Sequence, residues 1–188
     1  FYYIVLFAIY CFIGWVLEVF YRSFKQRKFV NAGFIFGPFV PIYGIGAFTV
    51  IFLQYFIQSW HFIPRYAALG LSITFLEYVI GFLAEKIFKI PLWNYSDRRF
   101  NLHGRVCLLF SVLWTVLAVV FSEFIHPEVF SRVASLQEGF VKPAAIAFMI
   151  YFWVDYTFSV MSLASFRNAV AHLYEEYFNL SNTEIEES

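Results

Sequence analysis

Charge is scarce in this chain. Asp, Glu, Lys and Arg make up 14% of its 188 residues, against about a quarter in globular domains. With a mean hydropathy of +0.69, that scarcity excludes an ordinary soluble domain. The 13 basic and 13 acidic residues cancel, so no surplus positive face is left for nucleic acid. Cysteine is nearly missing. Cys11 and Cys107 both lie in apolar runs, which argues against a disulfide framework and implies no redox role. His61, His103, Cys107 and His126 show neither His-x-x-Glu-His nor paired-cysteine spacing, so no metal ligand set is predicted. A GxxxxGK[ST] glycine loop is also lacking, which removes that route to ATP hydrolysis. No Ser, His and Asp gather near one end of the apolar runs, and the expectation is a protein that is no enzyme and carries no cofactor.

Apolar residues fill the space that charge leaves, at 61% hydrophobic and 24% aromatic. Runs of about 20 residues, enough to cross roughly 30 Å of hydrocarbon, recur at 1–21, 38–58, 66–88, 105–125 and 143–165. The first is too long for a signal-peptide core and has no basic leader or small-residue cleavage site. The fold class expected is an all-α polytopic transmembrane bundle of five spans over 1–165, partnered by the lipid bilayer. Residues 166–188 then form a cytoplasmic tail. Its Phe166, Val170, Leu173, Tyr174, Tyr177 and Phe178 recur at helical spacing, which predicts an amphipathic helix ending in an acidic stretch. Of the 13 Lys and Arg, Arg22, Lys25, Arg27, Lys28, Lys86, Lys89, Arg98, Arg99, Arg105 and Arg167 fall on one side of this topology. Only Arg65, Arg132 and Lys142 fall on the other. The positive-inside rule then puts the N-terminus outside and the C-terminus in the cytoplasm. The outer loop at 126–139 has helical apolar spacing after Pro127 and is expected to lie along the membrane surface as a short helix.

The two basic loops look alike: Arg27-Lys28-Phe29-Val30-Asn31-Ala32-Gly33 and Arg98-Arg99-Phe100-Asn101-Leu102-His103-Gly104. Duplication of a two-span unit explains this, and so does the plain requirement for basic, turn-forming inner loops. The segment from Gly33 to Gly46 is the least regular apolar stretch. Gly33 and Gly37 are a small-xxx-small pair that permits close helix approach, Pro38 and Pro41 remove backbone donors, and Gly44 and Gly46 follow. Either a broken helix directs its N-terminal dipole at an anionic group or a pathway, or the segment is tight packing ending in a helix-start proline.

Acids inside apolar runs are the sharpest pointers to function, since each costs about 2.5–3.5 kcal/mol at the membrane centre on insertion scales. At ~1.5 Å per residue, Glu77 and Asp155 both fall roughly 16–18 Å into their spans, and they could face each other. As a transport pair they mark an ion or proton route; otherwise they are protonated groups bonded to Tyr78, Tyr156, Thr74 or Thr157. Glu18 and Glu85 lie in the last turns of their spans, level with Arg105. With Asp97, Asn101 and His103 they form a candidate ionic layer, which is either a ligand site or an ion-pair girdle with capping groups.

Several ordered motifs carry a family resemblance: Gly14-Trp15-x-x-Glu18, Lys28-Phe-Val-Asn-Ala-Gly33-Phe34 with Gly37-Pro38-x-x-Pro41-Ile-Tyr43-Gly44, Leu76-Glu77-Tyr78-x-x-Gly81-x-x-x-Glu85, Trp93-Asn94-Tyr95-Ser96, and Asn101-Leu-His-Gly104-Arg105-Val-Cys107 through Trp114. From Gly14 to about Trp114 the chain resembles the CmpB-type ABC transporter permease family of small bacterial membrane proteins. The resemblance implies a permease of the bacterial cytoplasmic membrane, partnered by an ATPase or other transporter subunit or by further copies of itself. It places Glu18, Glu77, Glu85, Asn101, Gly104 and Arg105 in recurring motifs. Ala32, Asn94 and Thr115 depart from its pattern. No EAA-type coupling loop is evident, and Asp155 lies outside the motifs.

Overall fold

The computed structural model describes residues 1–89 and 91–186, with side chains described except at 167 and 170–188. Six α-helices are found: α1 (Tyr2–Gln26), α2 (Pro41–Ile57), α3 (Phe62–Phe88), α4 (Leu108–Val120), α5 (His126–Ala134) and α6 (Glu138–Glu186). The described sheet is a two-stranded hairpin, β1 (Asn101–Leu102) with β2 (Val106–Cys107), paired Asn101 to Cys107 and Leu102 to Val106. Neighbours in sequence pack in turn, α1 on α2, α2 on α3 and α3 on α4, and α5 returns to α1, which closes a ring. Helix α6 joins through α1. Phe34 of the first basic loop packs on Phe88 at 5.0 Å between centroids, so both basic loops share one end, here called the basic end. Tyr2 donates to the Leu136 carbonyl at the far end.

The helices approach closely where side chains shrink. Gly14 of α1 meets the Tyr43 ring of α2, and Gly70 of α3 meets Thr115 of α4, in contacts that would leave a Cβ no room. Leu6, Tyr10, Ala47 and Val133 form one core cluster, and Val50, Ile57, Leu69 and Ala118 another. Large apolar side chains such as Phe52 and Phe75 remain largely exposed, 68% and 70%, which suits a hydrocarbon solvent.

Among the described residues, four helical stretches are long and apolar enough to cross a membrane: Tyr2–Gln26, Phe62–Phe88, Leu108–Ala134 and Glu138–Phe166. The second expected span is shorter. It begins at Pro41 rather than Pro38 and runs 17 residues, within the lower limit for a crossing. Val40 is extended, as the residue before a proline must be, and Pro41 fills the first turn where its missing N–H is harmless. The fourth span corrects two expectations. It starts at Leu108, and the outer stretch after Pro127 is a continuation of it, not a separate surface helix. A π-helical turn, Phe121–Ile125, joins the halves, with the His126 N–H bonded to the Phe121 carbonyl. Proline in a helix interior clashes with the preceding turn, and the wider π turn accommodates Pro127. The fifth span starts earlier, at Glu138, and its helix continues to Glu186. The apolar face expected on that tail rests on side chains outside the described residues.

Candidate functional site

Residues 29–40 form no helix, and side chains take up three of the backbone N–H groups there, those of Val30, Phe36 and Gly37. Asp155 Oδ2 accepts from the Gly37 N–H at 2.8 Å, and Ser159 Oγ, one turn on, accepts from the Phe36 N–H at 3.1 Å. Asn31 donates to the Phe36 carbonyl at 2.8 Å and accepts from the Trp15 indole at 2.7 Å. The Val40 N–H donates to the Cys11 carbonyl at 3.0 Å. Irregular backbone is tolerated at membrane depth only when it is satisfied in this way. Of the two readings of this segment, packing with a helix-start proline accounts for Gly33, Gly37, Pro38 and Pro41. Gly33 holds φ +117, and a Cβ on Gly37 would meet Asp155 Oδ2 at 2.6 Å. Gly44 packs against the Cys11 Sγ in the same manner.

The second basic loop is built around a turn that needs positive φ twice, His103 at 55° and Gly104 at 70°. The Arg105 N–H closes it on the Leu102 carbonyl at 3.1 Å, a type I′-like turn within the three-residue loop between the paired Leu102 and Val106. Asn101 ties the loop together, donating to the Arg98 carbonyl at 2.8 Å and accepting from the Gly104 N–H at 3.1 Å. The loop folds back along α3. Arg105 pairs with Glu85 at 2.6 Å, stacks over Tyr78 and Phe82 and donates to the Tyr78 hydroxyl, which also bonds His103 Nδ1 at 3.1 Å. The Glu85 hydrogen bond holds the Arg105 guanidinium above its ordinary pKa. Of the expected ionic layer, Glu85, Arg105 and His103 come together, and Asn101 organises their turn. Glu18 instead pairs with Arg22 at 2.9 Å, because the i,i+4 partner is on its own helix face. Asp97 is 76% exposed and reaches only Arg98. The two basic loops both leave a helix through a left-handed residue, Arg27 or Lys89, but only the second makes a hairpin.

Glu77 is 4% exposed and is bonded by neither threonine nor Tyr78. Tyr95, from the folded-back loop, donates to its Oε1 at 3.1 Å. Burial, then the Glu77 carboxylate, push the Tyr95 phenol far above its usual range, so it stays a donor. The Trp114 indole lies beside the carboxyl but off the hydrogen-bond axis, and Glu77 Oε2 and Trp114 Nε1 both lack a hydrogen bond of normal geometry. Both residues line a partly open, largely apolar cavity of about 90 Å³, with Tyr10, Tyr43, Phe121 and Ile125 among its walls. No hydrogen bond or ion pair joins Glu77 to Asp155 among the described residues. The loop serves one acid and the irregular segment the other.

The sequence reading passed over the residues that complete this site. Tyr43 donates to Glu18 Oε1 at 3.2 Å, and the Tyr10 hydroxyl and His126 Nδ1 share a hydrogen bond of 2.7 Å. Arg65 pairs with Glu123 at the far end and reaches Gln54 at 3.3 Å. Glu123 is a fifth acid within an apolar run, and that position was the signal for it. No group of His, Cys, Asp and Glu that could hold a metal exists among the described residues.

No curated protein and no solved structure matches the chain. One family model does, over residues 5–160, which takes in Glu18, Glu77, Glu85, Arg105 and also Asp155. With its membrane-competent helices, the chain is a multi-pass membrane protein, and it belongs to the family described as "Putative ABC-transporter type IV".

Proposed function

We propose that this chain is a permease subunit that moves a small polar or cationic solute through the cavity beside Glu77. One observation carries the reading: a carboxyl that is 4% exposed sits on a cavity wall with one oxygen unbonded. Intramembrane acids face bundle interiors and mark solute or ion pathways. Glu18, joined to the cavity-lining Tyr43 and paired with Arg22, puts a second carboxyl at the edge of the cavity. The cavity, about 90 Å³, is small beside ordinary ligand pockets, so a larger solute requires the helices to part. The charge distribution supports the basic end in the cytoplasm of a bacterial membrane, where an ATPase or a second copy of the chain is the partner the family description suggests. A non-transporting scaffold is the competing reading, supported by the largely apolar cavity wall.

Thermal melting with alkali cations, ammonium and small primary amines tests the site. A ligand at one hundred times its Kd adds about 2.7 kcal/mol to the folded state. At least one of these solutes should raise the melting temperature of the wild type and leave Glu77→Gln unmoved. Equal shifts in the two proteins would contradict the site, and no shift in either would favour the scaffold.

A further inference from the structure

We infer that the Glu77 cavity is a proton path whose ends are Tyr10 and Tyr43, each bonded outward to an ionisable group. The inference rests on the transport reading and names the proton as a species that the site moves. Tyr10 is 3% exposed and shares its 2.7 Å hydrogen bond with the half-buried His126. Tyr43 donates to Glu18, whose side chain is 23% exposed beside Arg22. Both tyrosines line the cavity that Glu77 and Trp114 also line.

Tyr10 and Glu18 are about 12 Å apart along α1 at ~1.5 Å per residue, and the cavity that Tyr10, Tyr43 and Glu77 line has room for water between them. The π turn brings Phe121 and Ile125 to the wall near His126, and such turns are frequent at functional sites. Groups facing Glu77 are Tyr95 from the loop, Trp114 from α4 and, at longer range, Glu18 from α1. His126 faces Tyr10 from α1 and the rings of Phe121 and Phe130.

In the transfer, an imidazolium at His126 gives its Nδ1 proton to Tyr10 Oη as the Tyr10 hydroxyl hydrogen leaves for the first water. Each water accepts one hydrogen and releases another, until the Glu77 carboxylate becomes a carboxyl. Glu77 then releases its proton through water to Tyr43 Oη as the Tyr43 hydrogen passes to Glu18, which gives it to bulk water. Only hydrogen moves, and nothing is oxidised or reduced.

Proteoliposomes holding a pH-sensitive dye, under a valinomycin potassium potential, read the path. Wild-type protein should carry protons well above protein-free vesicles. Tyr10→Phe, Tyr43→Phe and His126→Gln should lose flux by about tenfold or more, as loss of a proton-relaying group does, with melting temperatures reporting the fold. Tyr2→Phe, whose hydroxyl bonds the Leu136 carbonyl, should conduct like wild type. Wild-type flux no higher than that of empty vesicles, or full flux in the folded Tyr→Phe variants, would overturn the path. Glu77-dependent solute binding without proton flux would sink the path and leave the transport reading standing; loss of both would sink both.

Discussion

Tyr95 and Glu77 are joined although a helix end separates them: the Tyr95 hydroxyl lies 3.1 Å from Glu77 Oε1, about 16 Å back from Phe88 along α3 at ~1.5 Å per residue. The loop can reach that far because Trp93 seats on Gly81 and Arg105 on Glu85. A basic, loop-like stretch therefore closes the basic-end side of an interior carboxyl.

Tyr95→Phe should lower the stability of the detergent-solubilised protein by about 1–3 kcal/mol, because the carboxyl loses its one well-formed bond. Adding Glu77→Leu should recover much of that loss, since removing both partners of a buried bond is nearly neutral. Thermal melting of the single and double variants checks both steps, and no recovery would argue against the pair.

The clamp on residues 36 and 37 predicts an order among three variants. Asp155→Ala orphans the Gly37 N–H, at about 1–3 kcal/mol, whereas Asp155→Asn keeps an acceptor and should lose less. Gly37→Ala forces a Cβ against Asp155 and Tyr151 and should also destabilise, by about 1–3 kcal/mol. Urea or thermal unfolding gives the order.

Gly104→Ala should destabilise by about 1–3 kcal/mol. Its φ is +70, and a Cβ would sit 2.6 Å from Ser96 Oγ. His103→Asn should cost less, because asparagine accepts the left-handed conformation of a type I′ turn. Melting temperatures of the two variants decide.

Arg105→Ala should destabilise the fold, and a simultaneous Glu85→Gln should restore part of the loss. The same cycle with Glu18→Gln should be additive, since Glu18 bonds Arg22 and Tyr43 and not Arg105. Coupling at Glu18 in place of Glu85 would contradict the ion pair.

Helix class was legible because hydrocarbon thickness imposes a length on apolar runs, and Glu77, Glu85 and Arg105 stood out because charge inside such runs is rare. The partners were not legible. Tyr95 and Trp93 sit in a short polar loop, and nothing local says that the loop folds back three turns along α3. Asp155 looked like a pathway acid because depth alone was visible, whereas its bond to the Gly37 N–H depends on how α6 docks against α1. The fourth span was misplaced for a similar reason. Pro127 reads as a helix start, whereas the helix runs through it by way of the π turn at Phe121–Ile125.

The most direct measurement is solute and proton flux into proteoliposomes with Glu77→Gln, using Asp155→Asn as the folding control. Glutamine keeps the volume and can still accept from Tyr95, but it removes the charge and the exchangeable carboxyl proton. The account predicts a folded Glu77→Gln protein with flux near that of empty vesicles and an Asp155→Asn protein that still transports. Wild-type flux through folded Glu77→Gln protein would contradict it.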